Sequence, residues 1–106
     1  MINVSNKQEI KTKTIETTFL PPEIKQGWGN GYVGVPPNHP WFGKDYNELD
    51  VDVHGGLTFS NKAAPKEQPD SYWWIGFDTC HYQDNKYNCS KEYVEQQTQQ
   101  LKEQAE

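Results

Sequence analysis

The chain has 106 residues, a formal net charge of −5 and only 33% hydrophobic residues, yet 4 Trp, 6 Tyr and 4 Phe supply large apolar areas that disordered sequences lack. Its length fits one domain over 1–106, with an ordered core expected from about 12 to about 104. The basic residues are all lysine, which excludes bidentate guanidinium clamping of a phosphate or an arginine finger, and the acidic balance argues against direct nucleic-acid binding.

Any anion would therefore be held by Lys, backbone N–H groups or hydroxyls, and a protein with a basic groove is a fitting partner. No apolar run approaches the ~20 residues that span a bilayer, and Met1 to Lys7 lacks a signal-peptide core, so the expected location is the cytoplasm, with no membrane partner. In that compartment Cys80 and Cys89 are expected as free thiols; in an oxidising one they could close a hairpin disulfide.

From Thr12 to Leu20 the side chains alternate, with Ile15, Thr17 and Phe19 on one face, and a strand is expected at about 13–20, ended by Pro21-Pro22. Tyr32-Val33-Gly34-Val35 predicts a second strand at 31–35, stopped by Pro36-Pro37. The span Asn38-His39-Pro40-Trp41-Phe42-Gly43 reads as an ordered loop whose Trp41 and Phe42 either pin it to the core or line a pocket for a planar ligand. One helical turn is expected from Lys44 to Glu48.

Leu49, Val51 and Val53 alternate with Asp50, Asp52 and His54 in the clearest period-two pattern of the chain, predicting a strand at 49–54. Its polar face is either a solvated surface or part of a site. Gly55-Gly56 predicts a bulge or tight turn, after which extended structure resumes at 57–60. Asn61 to Asp70 reads as a surface loop. Tyr72 to Phe77 is aromatic on both faces, so a strand at 72–78 should be central in its sheet. Ser90 is a plausible N-cap for a helix at about 90–104, whose Val94, Leu101 and Ala105 form a narrow apolar stripe. These elements define an α+β fold: a small, mainly antiparallel β-sheet with one C-terminal helix packed on it.

The candidate site is built on Val53-His54-Gly55-Gly56 and on Trp74-Ile75-Gly76-Phe77-Asp78 with His81, where permissive backbone lies beside imidazoles and a carboxylate. Ligand binding without turnover would use His54, Gly55, Gly56, Trp74, Asp78, His81, Trp41 and His39: aromatic faces to stack on a base, glycine-flanked N–H groups to approach a phosphate, and polar groups to read edges. No cofactor is required for this. A divalent metal is the rival, with His54, Asp78, His81 and Asp84 as candidate donors and a bound water to activate. The plain alternative is that His54 and Asp78 hydrogen-bond each other or nearby backbone. Nucleophilic chemistry has weaker support: Cys80-His81 are sequence neighbours, and Ser60 or Thr58 could be drawn against His54 only as a dyad.

The segments Gly31-Tyr32-Val33-Gly34-Val35-Pro36, His39-Pro40, His54-Gly55-Gly56-Leu57-Thr58-Phe59 and Trp74-Ile75-Gly76-Phe77-Asp78 with His81 together resemble a family of small proteins met in bacteriophage and prophage genomes. The resemblance covers residues 27 to 101 and assigns no role to any residue. It implies an antagonist of bacterial host defence in the host cytoplasm, sequestering a nucleotide-like small molecule or blocking a host defence protein, with self-association into a homo-oligomer left open. The alternative is a small metal-dependent hydrolase using His54, Asp78 and His81.

Overall fold

A computed structural model describes residues 9–18 and 25–106. It contains strands β1 (Lys11–Glu16), β2 (Gly29–Val35), β3 (Phe59–Asn61) and β4 (Trp73–Phe77), a 3-10 turn at Tyr46–Glu48, and one helix, α1 (Lys91–Ala105). The strands form a single antiparallel sheet in the order β1-β2-β4-β3, so β4 lies inside it. The chain thus has the expected α+β architecture. Phe19 to Pro22, the end expected for the first strand, lie outside the described residues.

Alternation along the two inner strands produces two cores. Val33, Val35, Ile75 and Phe77 point to one face, where Val94, Leu101 and Ala105 of α1 cover them. On the other face Tyr32 and Trp74 pack with Tyr72 and Ala64, flanked by Ile15 and Phe59. The large rings fit because each lies over a glycine on the neighbouring strand: Tyr32 is paired with Gly76 and Gly34 with Trp74. A Cβ at Gly76 would stand 2.3 Å from the Tyr32 ring, so any side chain there would displace it.

The strand expected at 49–54 is not one. Leu49, Val51 and Val53 do turn to the first core, as the alternation requires, but the backbone meets side chains of α1 rather than another strand. Gln104 Nε2 and Gln100 Nε2 donate to the Asp52 carbonyl at 2.7 and 2.8 Å, Asp52 N–H donates to Gln104 Oε1 at 2.7 Å, and His54 N–H donates to Gln97 Oε1 at 2.8 Å. Amide side chains carry both a donor and an acceptor, so a row of glutamines can replace the edge of a sheet. Period two reports a two-sided environment and is silent about what supplies the hydrogen bonds. The segment expected at 57–60 shortens similarly: Thr58 N–H donates to Gly76 O, and the ladder proper begins at Phe59.

Ser90 caps α1 as anticipated, its side chain accepting from Tyr93 N–H at 3.2 Å. Two stripes run along this helix about 100° apart, the angle between successive residues. Val94, Thr98, Leu101 and Ala105 are buried against the sheet. Tyr93, Gln97, Gln100 and Gln104 hold the 52–54 segment. Replacing Gln97 by Ala should cost about 1 to 2 kcal/mol in urea unfolding by orphaning the His54 amide, whereas Gln96→Ala on the exposed face should stay within about 0.5 kcal/mol. Equal effects of the two changes would contradict this account of 52–54.

Candidate functional site

His54 stands in a turn closed by a hydrogen bond from Gly56 N–H to Val53 O at 2.9 Å. Gly55 and Gly56 both have positive φ, +69° and +81°, the backbone region that glycine occupies at least cost. The His81 ring lies directly over Gly55, where a Cβ would approach its Cε1 to 2.3 Å. Thus the expected tight turn is present, and its first glycine makes room for the second histidine.

The loop 78–89 brings the remaining groups. It is fastened to the start of β2 by Gly27 N–H to Thr79 O and Trp28 N–H to Cys89 O, both 2.7 Å, and by the Thr79 hydroxyl donating to Gly29 O at 2.6 Å. Asp84, with a side chain only 7% exposed, lies at the centre. His54 Nε2 approaches its two oxygens at 3.0 and 3.1 Å, His81 Nδ1 lies at 2.7 Å, and His81 N–H donates at 3.0 Å. Because an ionised carboxylate only accepts, Nε2 of His54 and Nδ1 of His81 carry hydrogens in this arrangement. The Tyr93 hydroxyl, 2.9 Å from His54 Nδ1, completes the ring's partners from α1.

Burial alone would raise the Asp84 pKa, but the His81 N–H and the two imidazoles outweigh it and bring the group down to about 2. Burial, and then the nearby Asp84 charge, push the Cys89 thiol up to about 11, so it is protonated at neutral pH. Burial also raises Tyr93, followed by repulsion from the Cys89 thiolate once that group ionises and from the Asp84 carboxylate. Cys89 is therefore not an activated nucleophile: it is 1% exposed, and His54 Nε2, 3.7 Å from its sulfur, is engaged with Asp84.

Asp78 lies at the rim. Its oxygens accept from Thr58 Oγ1 and Cys80 N–H, each at 3.0 Å, while Oδ1 stands 3.6 Å from His81 Nε2. It does not bond His54. Ser60 Oγ donates to Asp45 at 3.1 Å, so neither proposed hydroxyl partners His54. Cys80 is exposed, Cys89 is buried, and both are free. The side chain of His81 is 36% exposed; with Nδ1 held by Asp84, its Nε2 is the ring atom directed away from that carboxylate. Among the described residues, His54, Asp84 and Cys89 place donor atoms within 4.8 Å of one another, close enough to share a metal ion.

Of the sequence-predicted residues, His54, Gly55, Gly56, Asp78, His81 and Asp84 converge. Trp74 does not: it is buried in the second core, its Nε1–H donating to Asp70. His39 and Trp41 lie at the far end of α1, 12 residues or roughly 18 Å along the helix from Tyr93. There His39 Nδ1 accepts from Trp41 N–H at 3.0 Å, and its Nε2–H donates to Ala105 O at 2.7 Å, closing the helix C-terminus. Trp41 packs on the first core, the first of the two roles expected for it, and also lines a cavity of about 750 Å³ with Ile10, Pro36, Pro40 and Ala105. Sequence reasoning missed Cys89 and Tyr93. The 4-3-4 spacing of Tyr93, Gln97, Gln100 and Gln104 was the available signal for the latter.

No known protein family, curated protein or solved structure matches the chain. No helix among the described residues is long and apolar enough to cross a membrane.

A carboxyl held at about 2, against an ordinary value near 3.8, binds its proton more weakly in the folded than in the unfolded chain. It therefore adds stability above about pH 4, about 2 kcal/mol in all, and that contribution disappears as pH falls through 2. Asp84→Asn should lower unfolding free energy at pH 7 by about 3 kcal/mol and should flatten the acid limb of the stability profile. An Asp84→Asn profile parallel to that of the wild type between pH 5 and pH 2 would contradict this role.

Proposed function

We propose that this chain is a phage-type antagonist of bacterial host defence that works by blocking a defence protein, and that the loop 78–89 is its docking face. The supporting observation is the exposure of Tyr82 and Tyr87, each 97% accessible, on a loop that is otherwise internally bonded. Asn85 Oδ1 accepts from Tyr87 N–H and Asn88 N–H at 2.8 and 3.0 Å, Asn88 Oδ1 accepts from Asn85 N–H at 2.9 Å, and Asn88 Nδ2 donates to Gln83 O at 3.0 Å. Two large amphipathic rings left in water on such a loop contribute nothing to the fold. Tyrosines are enriched among residues that dominate protein interfaces, and an ordered loop loses less entropy on binding.

Blocking is favoured over sequestering a nucleotide-like signal because the aromatic faces expected around that ligand, Trp74, Trp41 and His39, lie apart from His54. Tyr93 stands edge-on to the His54 ring at 5.3 Å and offers no open stacking face there. The hydrolase reading draws on His81 Nε2, which lies 3.6 Å from Asp78 Oδ1, and on the metal-binding capacity of His54, Asp84 and Cys89. The acidic net charge and the lysine-only basic set fit a partner with a basic surface.

The experiment is to express the chain in bacteria that carry individual defence systems and to plate a phage that each system restricts. Restored plating against one system is expected, and Tyr82→Ala with Tyr87→Ala should abolish it, weakening binding to the protein of that system by about 30-fold or more (about 2 kcal/mol) at unchanged melting temperature. Full plating by the double variant would overturn the docking face. Release of an intact nucleotide on heat denaturation would favour sequestration, and release of an altered one would favour the hydrolase.

A further inference from the structure

The cluster beneath this loop combines a soft donor with two harder ones in a way that the docking reading does not use. Cys89 Sγ lies 3.7 Å from His54 Nε2, which in turn lies 3.0 Å from Asp84 Oδ1. Donors bound at about 2.0 to 2.3 Å to a tetrahedral ion stand roughly 3.4 to 3.6 Å apart, so these two separations need shifts of only a few tenths of an ångström, and all three donor atoms lie within 4.8 Å of one another. We propose that His54 Nε2, Asp84 Oδ1 and the Cys89 thiolate form a three-donor site for a zinc-type divalent cation, with water in the fourth position.

The groups around the donors support this division. Asp84 Oδ2 receives the His81 backbone N–H and ring Nδ1, at 3.0 and 2.7 Å, which orients the carboxylate and leaves Oδ1 for the ion. Binding through Nε2 requires the His54 proton to sit on Nδ1, and the Tyr93 hydroxyl at 2.9 Å can rotate from donor to acceptor to receive it. Outer partners of this kind hold the tautomer and ring orientation of metal-ligating histidines. The Cys89 thiol releases its proton to solvent as the sulfur–metal bond forms.

The donor set differs from the one expected from sequence. Asp78 is committed to Thr58 and to the Cys80 amide, and His81 acts through Asp84 rather than on the ion. A thiolate with an imidazole and a carboxylate selects a borderline-soft ion over magnesium or calcium, which take oxygen donors. The side chains of Asp84 and His54 are 7% and 19% exposed, so the ion would sit just below the surface, with His54 at its outer edge.

Cobalt(II) titration of chelator-treated, dialysed full-length protein tests the site. One equivalent should bind with thiolate-to-cobalt charge-transfer absorption, and zinc should bleach it. Cys89→Ser should lose the absorption, Cys80→Ser should keep it, and Tyr93→Phe should keep it while weakening affinity about 10-fold or more. If Cys89→Ser fails to fold, the Cys80→Ser protein decides alone, because Cys89 is then its one cysteine. Absence of the thiolate absorption in wild type, or its loss in Cys80→Ser, would overturn the proposal. Tyr82→Ala and Tyr87→Ala should leave the titration unchanged, so failure of the docking reading and failure of the metal site are separable.

Discussion

A buried carboxylate that accepts from two imidazoles and a backbone amide is the constraint on which the rest of this structure depends. Taking the charge of Asp84 out of water is costly, and only several donors at hydrogen-bond distance offset the cost. Those donors come from different parts of the chain. His54 ends the segment after Val53, His81 belongs to the loop that Asp84 itself closes, and Tyr93 continues the network into α1. Removing the carboxylate would leave two ring N–H groups without their acceptor and release a turn, a loop and a contact to the helix together.

The same helix organises the molecule on two sides. Its apolar stripe covers the sheet through Val94, Leu101 and Ala105, while its polar stripe bonds the backbone of Asp52 and His54. The position of His54 is thus set three times: by Gln97 at its own amide, by the glycine turn that follows, and by the ring contacts to Asp84 and Tyr93. That over-determination is what a site needs, since a ring free to rotate would not keep Nε2 on the carboxylate.

Much of the fold was legible because it rests on local pattern. The two-sided aromatic run at Tyr72 to Phe77 marked the inner strand, and Ser90 with Val94, Leu101 and Ala105 marked the helix. What failed was partner identity. Alternation from Leu49 to His54 correctly separated core-facing from outward residues, yet nothing in a single sequence says that glutamines more than 40 positions away replace a neighbouring strand. In the site, residue types pointed to His54, His81 and Asp84. Cys89 offered only a free thiol or a disulfide partner for Cys80, and Trp74, close to the site in sequence, packs in the second core on the sheet face opposite α1. Exposure of Tyr82 and Tyr87 has no sequence signature, because tyrosine in a loop is as often packed as free.

Asp84 links fold to function in this account, since the loop that presents the tyrosines is held from below by the carboxylate. The most direct measurement is a 13C NMR titration of the Asp84 side-chain carboxyl in metal-free protein. A midpoint near 2, with the imidazole resonances of His54 and His81 shifting in the same step, is the predicted result. A midpoint near the ordinary 3.8, with the histidine resonances unmoved, would contradict the claim that one carboxylate holds the turn, the loop and the helix together.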